Sequence, residues 1–184
     1  MAAAKRDARV ALLRAVNLPG RNRIGADELR SLAASVGLRD ARTLLQTGNL
    51  VFRGGGTGEA LEAALERAAA LRLGLQTDCF VRTAAQLREV VARNPFPEAA
   101  RHDPAHLVVS FLKETPTPAA VAALRAAIPG RETVSAVGRH LYAVYPDGIG
   151  RSHLTAALMD RKLETRGTAR NWNTVLKLAD LAGA

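Results

Sequence analysis

Apolar positions along the chain come in short blocks separated by segments rich in glycine, proline and asparagine, and the spacing inside each block selects its element. Arg9 to Val16 (RVALLRAV) is a continuous apolar, β-compatible run that stops at Asn17-Leu18-Pro19-Gly20, so it predicts a first strand ending in a loop. Asp27 to Val36 sets Leu29, Leu32, Ala33 and Val36 at i, i+3, i+4 and i+7, the stripe of an amphipathic helix stopped by Gly37. Ala41–Gln46 and Asn49–Arg53 predict two short strands around Thr47-Gly48-Asn49, a connection suited to a hairpin or bulged bend. Thr57 is placed to cap a second helix marked by Leu61, Leu65, Ala68 and Leu71 or Arg72, and Cys79–Arg82 closes the unit as a strand. The order is β-α-β-β-α-β, that of a ferredoxin-like unit with two helices on one face of an antiparallel sheet.

The second half repeats that order. A helix from Thr83 through Leu87, Val90 and Val91 must end before Asn94-Pro95-Phe96-Pro97, because a residue that precedes proline avoids the helical region. Then follow a strand (His106–Leu112), an Ala-rich helix (Pro118–Ile128), a hairpin (Glu132–Val137 and His140–Tyr145) turning at Gly138-Arg139, a helix (Ser152–Leu163) and a short strand (Thr165–Ala169). A final helix spans Trp172–Leu181, with Trp172, Val175, Leu176 and Ala179 expected on its buried face. The expected fold is α+β, two ferredoxin-like βαββαβ lobes with antiparallel sheets and an appended C-terminal helix. The expected division is 1–83 for the N-terminal lobe, 84–105 for a helical, proline-containing linker, and 106–184 for the C-terminal lobe with its terminal helix.

Composition narrows the function classes. At 184 residues and 48% hydrophobic, the chain can bury one large core or two small ones. One cysteine, Cys79, excludes an internal disulfide framework and a multi-cysteine metal site, and its strand setting predicts a small buried hydrophobe. No stretch approaches the roughly 18 apolar residues of a membrane span or carries the apolar core of a secretory signal, so a cytoplasmic protein without a membrane partner is expected. The formal charge of +9 raises nucleic acid as a partner, but 22 of the 26 basic residues are arginines scattered along the chain rather than grouped.

The polar chemistry concentrates in a few loops. In Pro146-Asp147-Gly148-Ile149-Gly150-Arg151-Ser152, free backbone N–H groups, Arg151 and the Ser152 hydroxyl stand before a predicted helix, an arrangement suited to phosphate or carboxylate; Ser152 as a simple cap is the structural alternative. Arg170, Asn171 and Asn173 surround the only tryptophan, whose helical register marks it as a core anchor, and one of the two asparagines is expected to cap the last helix. The first-lobe loops repeat this chemistry in Asn17, Arg21 and Asn22 and in Thr47 and Asn49, residue types that also build turns without any ligand. His102 and His106 around Asp103 lack the spacing of a metal site, and no metal or cofactor is assigned. No nucleophile elbow, P-loop or catalytic dyad is present.

Taken together, ALLRAVNLPGRNRI, DELRSLAASVGL, ARTLLQTGNLVF, the NPFP of residues 94–97, YPDGIGRSHLT and ARNWNTVLKLADL resemble the bacterial family of domain of unknown function 1697 (DUF1697). The resemblance covers nearly the whole chain. It implies an α+β fold and brings no established activity, cofactor or substrate. It implies family-like status for Asn17, Gly20, Asn22, Gly48, Asn49, Asn94, Pro95, Gly150, Arg151, Ser152, Arg170, Asn171, Trp172 and Asn173, while Ala15 and Thr47 stand where the family often has glycine and serine.

The function expected is that of a binding protein for a small anionic ligand, a nucleotide or phosphorylated metabolite, held by Arg151, Ser152 and the Asn/Arg loops. Two alternatives stand beside it. One is an RNA-binding module stacking bases on Phe52, Phe80 and Phe111, and the other is an enzyme with an Arg/Asn anion clamp, for which Asp147 and His153 are the nearest acid and base.

Overall fold

The computed structural model describes residues 8–16, 23–45 and 48–183. They form two four-stranded antiparallel sheets, each carrying its own helices, in two ferredoxin-like lobes. The first comprises β1 (Ala8–Leu13), α1 (Ala26–Ser35), β2 (Arg39–Leu44), β3 (Asn49–Arg53), α2 (Gly58–Leu73) and β4 (Cys79–Thr83), in sheet order β2-β3-β1-β4. After α3 (Ala84–Ala92) and a short α4 (Pro97–His102), the second comprises β5 (Leu107–Leu112), α5 (Pro118–Ala126), β6 (Thr133–Val137), β7 (His140–Val144), α6 (Ala156–Leu163) and β8 (Gly167–Asn171), in order β6-β7-β5-β8. α7 (Trp172–Leu181) closes the chain.

Each sheet presents one face to its lobe's helices. In the first lobe Ala11, Leu13, Leu50, Phe52, Cys79 and Val81 pack with Leu29, Leu32 and Ala33 of α1 and Leu61, Leu65 and Ala69 of α2. In the second, Val108, Leu112, Leu141 and Ala143 pack with Val121 and Leu124 of α5 and Met159 and Leu163 of α6. Residues that alternate with these, among them Val10, Leu12, Phe80, Val109, Phe111 and Tyr142, are buried as well. Burial on both faces accounts for strands written as unbroken apolar runs rather than as alternating ones.

Local chemistry sets the element ends. Thr57, Thr117 and Thr155 each accept a hydrogen bond from the backbone N–H three residues on, at 3.2, 3.1 and 3.2 Å, and so cap α2, α5 and α6. α6 therefore starts at Ala156 and not at the predicted Ser152; Ile149–Arg151 instead form one turn of 3₁₀ helix. β1 is shorter than expected, since Ala15 turns to a positive φ of 53°. The buried face of α7 is Trp172, Val175, Leu178 and Ala179, continued by Ala182 just beyond the helix, whereas Leu176, predicted to join it, is 41% exposed.

The compact units divide inside α3 and α7. Residues through Glu89 and from Lys177 onward belong to the first, and Val90–Leu176 to the second. This differs from the expected boundary chiefly at the C-terminus, where Leu178 and Ala182 are buried and residues 180–183 line a recess shared with Ala8 and Phe52 of the first sheet. No helix among the described residues is long and apolar enough to cross a membrane.

Candidate functional site

Of the loop residues singled out in the sequence, Asn17, Arg21, Asn22 and Thr47 lie outside the described residues. Asn49 is fully buried, and its amide donates to the Leu44 carbonyl at 3.0 Å, closing the β2–β3 turn from within. It belongs to the first unit, whereas Arg151, Ser152, Arg170, Asn171 and Asn173 belong to the second.

The second sheet brings those five residues to one end. β7 and β8 flank β5 and run antiparallel to it, with Val144 opposite Leu107 and Asn171 opposite Val108, so both carry their C-terminal ends to where β5 begins. Ser152, Arg170 and Asn171 nevertheless spend polar groups on the chain itself. Asp147 takes a hydrogen bond from Arg131 Nε at 3.0 Å. That bond, helped by the charges of Arg131 and Arg151, holds the Asp147 carboxyl below its ordinary range. Ser152 donates to the Glu132 carboxylate and accepts from the Leu154 N–H at 2.9 Å. The other Glu132 oxygen, Oε2, is buried and has no hydrogen-bond partner among the described residues. Burial, and secondarily the Glu132 charge, pushes the Tyr145 phenol up to about 12. Two carboxylates thus stand beside Arg151 and Ser152 in the region expected to take an anion.

Arg170 and Asn171 are similarly engaged. Arg170 Nη1 donates to Thr168 Oγ1 at 2.9 Å and to the Ala169 carbonyl at 2.8 Å, and burial lowers its guanidinium to about 10. Asn171 Oδ1 accepts from the Thr174 N–H at 2.9 Å, which makes it the predicted asparagine cap of α7 and leaves Asn173 exposed. Phe52, Phe80 and Phe111 are at most 1% exposed, so none offers a ring for a base to stack on.

A different place in the first unit combines room with uncommitted charge. A cavity of about 370 Å³ is bounded by Asp40 and Arg42 of β2, Val51, Phe52 and Arg53 of β3, Ala8, and the chain's last turn from Asp180 to Gly183. Its shape follows from an irregular ladder. Arg39 pairs with Arg53 and Arg42 with Val51, so the register shifts between them, and Asp40 sits in that bulge with a positive φ of 52°. The bulge brings the Asp40 carboxylate to Arg53 Nε at 3.4 Å. That contact uses the Nε side of the guanidinium, leaving the Nη1–Nη2 end of the fork for another acceptor. The side chains of Arg42 and Asp180 are exposed and have no partner among the described residues.

A second recess, of about 330 Å³, lies at the end of α2 between Arg23 and Arg72. It is less suited to an anion, because it faces the carbonyl end of that helix, where the backbone dipole is negative. Sequence reasoning overlooked the first cavity because it began this strand at Ala41, leaving Arg39 and Asp40 outside it. The available signal was its polarity: Arg39, Asp40 and Arg42 put three charges in one strand, where β1, β3 and β4 each carry one arginine.

Comparisons with known proteins agree with this architecture. The conserved bacterial protein SP0830 from Streptococcus pneumoniae has a similar fold, with a TM-score of 0.74 at 17% sequence identity, covering 95% of this chain and 98% of that one. None of the curated proteins matches the chain. The family model for DUF1697, proteins of unknown function, matches residues 7–142, spanning the first lobe and the second as far as β7, and the chain belongs to that family.

Proposed function

We propose that this protein binds a small anionic ligand, of the class of a nucleotide or phosphorylated metabolite, in the first-lobe cavity and carries out no chemistry on it. The observation that carries this reading is the pairing of Arg42, without a partner among the described residues, with the Nη end of Arg53, both lining a cavity of about 370 Å³. Two guanidinium groups that converge on one recess recognise a phosphate or carboxylate by forked hydrogen bonds, which a single scattered surface arginine does poorly. A recess of this volume lies within the size range of small-molecule sites. The C-terminal turn is a weaker place for an anion, since Asp147 and Glu132 already sit against Arg131 and Ser152.

Calorimetric titration with inorganic phosphate and a nucleoside monophosphate tests the proposal. Binding is expected in the wild type, with a loss of about tenfold or more in Arg42→Ala or Arg53→Ala and no change in Arg151→Ala. Equal binding in all four proteins overturns it, as does loss in Arg151→Ala alone. Preference for long RNA over the mononucleotide, with a steep salt dependence, moves the assignment to nucleic acid.

A further inference from the structure

The charges that line the first-lobe cavity are two arginines and two aspartates, and they divide into an internal pair and a remainder. Asp40 is committed to Arg53 through Nε at 3.4 Å. What remains is one cation, Arg42, and one anion, Asp180, each exposed and neither bonded by any described side chain or backbone group. The two come from different elements, β2 and the last turn of α7, so they bound the cavity from separate walls. Ala8, Val51 and Phe52 also border the cavity, and all three are nearly buried, so its accessible lining is mostly polar.

A purely anionic ligand would satisfy Arg42 and Arg53 but would meet an uncompensated carboxylate at Asp180, and like charges in a partly enclosed recess repel more strongly than in open water. We infer that the ligand is zwitterionic: a small molecule whose phosphate or carboxylate group is held by Arg42 and Arg53 and whose ammonium group is held by Asp180. This rests on the anion-binding reading above and adds the second pole of the ligand. Asp180 then acts as the specificity residue, since removing its charge affects only ligands that carry an amine.

The test uses two phosphate monoesters of similar size, O-phosphoethanolamine with an ammonium group and ethyl phosphate without one, titrated into wild-type protein, Asp180→Asn and Arg42→Ala. Wild-type protein is expected to bind the amine-bearing ester about fivefold more tightly, a modest factor because Asp180 is solvent-exposed. In Asp180→Asn that advantage disappears while ethyl phosphate binds as before; in Arg42→Ala both esters weaken together. Equal affinity of the two esters in wild type overturns the zwitterion assignment and leaves the anion site standing, and so does an advantage that survives in Asp180→Asn. Absence of binding by either ester overturns both. Because Asp180 is exposed, a melting temperature unchanged by Asp180→Asn confirms that any affinity change is local.

Discussion

The last strand of each lobe is the same device built twice, and the differences lie in how each copy handles charge. β4 and β8 are both five residues long, both pair antiparallel with the first strand of their lobe, and both run directly into a helix. In each, a carboxylate from the preceding helix accepts the N–H of the strand's first residue: Glu66 for Cys79 at 2.8 Å and Asp160 for Gly167 at 3.3 Å. The fourth residue of each is an arginine whose Nη1 returns to the carbonyl just before it, Arg82 to Val81 at 2.9 Å and Arg170 to Ala169 at 2.8 Å. The fifth caps the next helix, Thr83 through Gln86 N–H at 3.2 Å and Asn171 through Thr174 N–H at 2.9 Å.

The first copy is the more heavily fastened. Glu62 accepts the Val81 N–H at 2.7 Å and lies 3.8 Å from Arg82. Gln86 returns a bond to the Thr83 N–H at 2.9 Å. Alternate N–H groups at 79, 81 and 83 are thereby all satisfied by side chains, which blunts an edge that would otherwise recruit another strand. Arg82 is only 1% exposed, while Arg170, at the equivalent place, is part-buried and bonded to Thr168 Oγ1. One frame therefore accommodates an arginine in two settings, fully buried near Glu62 or part-buried against Thr168.

The largest effect expected is at Glu62. Glu62→Ala removes a carboxylate 3.8 Å from the buried Arg82 and uncaps Val81, so chemical denaturation should show a loss of about 3–5 kcal/mol. Asp160→Ala, at the corresponding edge of the second lobe, should cost less, about 1–2 kcal/mol, because the Gly167 N–H it accepts is only half-buried. Equal losses would dissolve the contrast between the two edges.

The hairpin turns sharpen the comparison next. Gly48 and Gly138 both have positive φ, 72° and 55°. A Cβ at Gly48 would stand 2.3 Å from Val16 Cγ2 and 3.1 Å from Leu13 Cβ, whereas one at Gly138 meets nothing within 4 Å. Gly48→Ala should cost about 3 kcal/mol, from left-handed strain plus overpacking, and Gly138→Ala about 1 kcal/mol from strain alone. Thermal melts of the two variants check the difference.

A pH dependence confined to the second lobe extends the comparison. Tyr145 ionises near 10 when unfolded and at about 12 when folded, so the folded state holds the phenolic proton longer. Its contribution is complete below pH 10 and is lost as pH rises from 10 to about 12, a change of about 3 kcal/mol that Tyr145→Phe should remove. Stability measured across that interval, with phenolate absorbance as a second readout, tests the sign.

Much of the architecture was legible in the chain because period and punctuation agreed. Gly37 and the Gly138-Arg139 turn end elements as their residue types require, and Leu29, Leu32 and Ala33 mark the buried stripe of α1. Ser152 misled because a serine after two glycines has the chemistry of a cap, yet Thr155 competes for the same role and wins, leaving the Ser152 hydroxyl to Glu132 twenty residues away. That partnership is tertiary, so local spacing carries no trace of it. The cavity around Arg42 was hidden for the same reason: a register shift between two strands and the return of the chain's last turn create it, and neither leaves a motif.

Cys79 gives these lobes separate experimental voices. It is the chain's only thiol, it is fully buried, and it sits on the strand edge that Glu66 covers. Alkylation must wait for that edge to open, so under native conditions the labelling rate acts as a clock for excursions of the first lobe. The second lobe contains no cysteine and is silent in that measurement. Ligand-induced slowing of the clock would locate binding without a spectroscopic label and without altering a single residue.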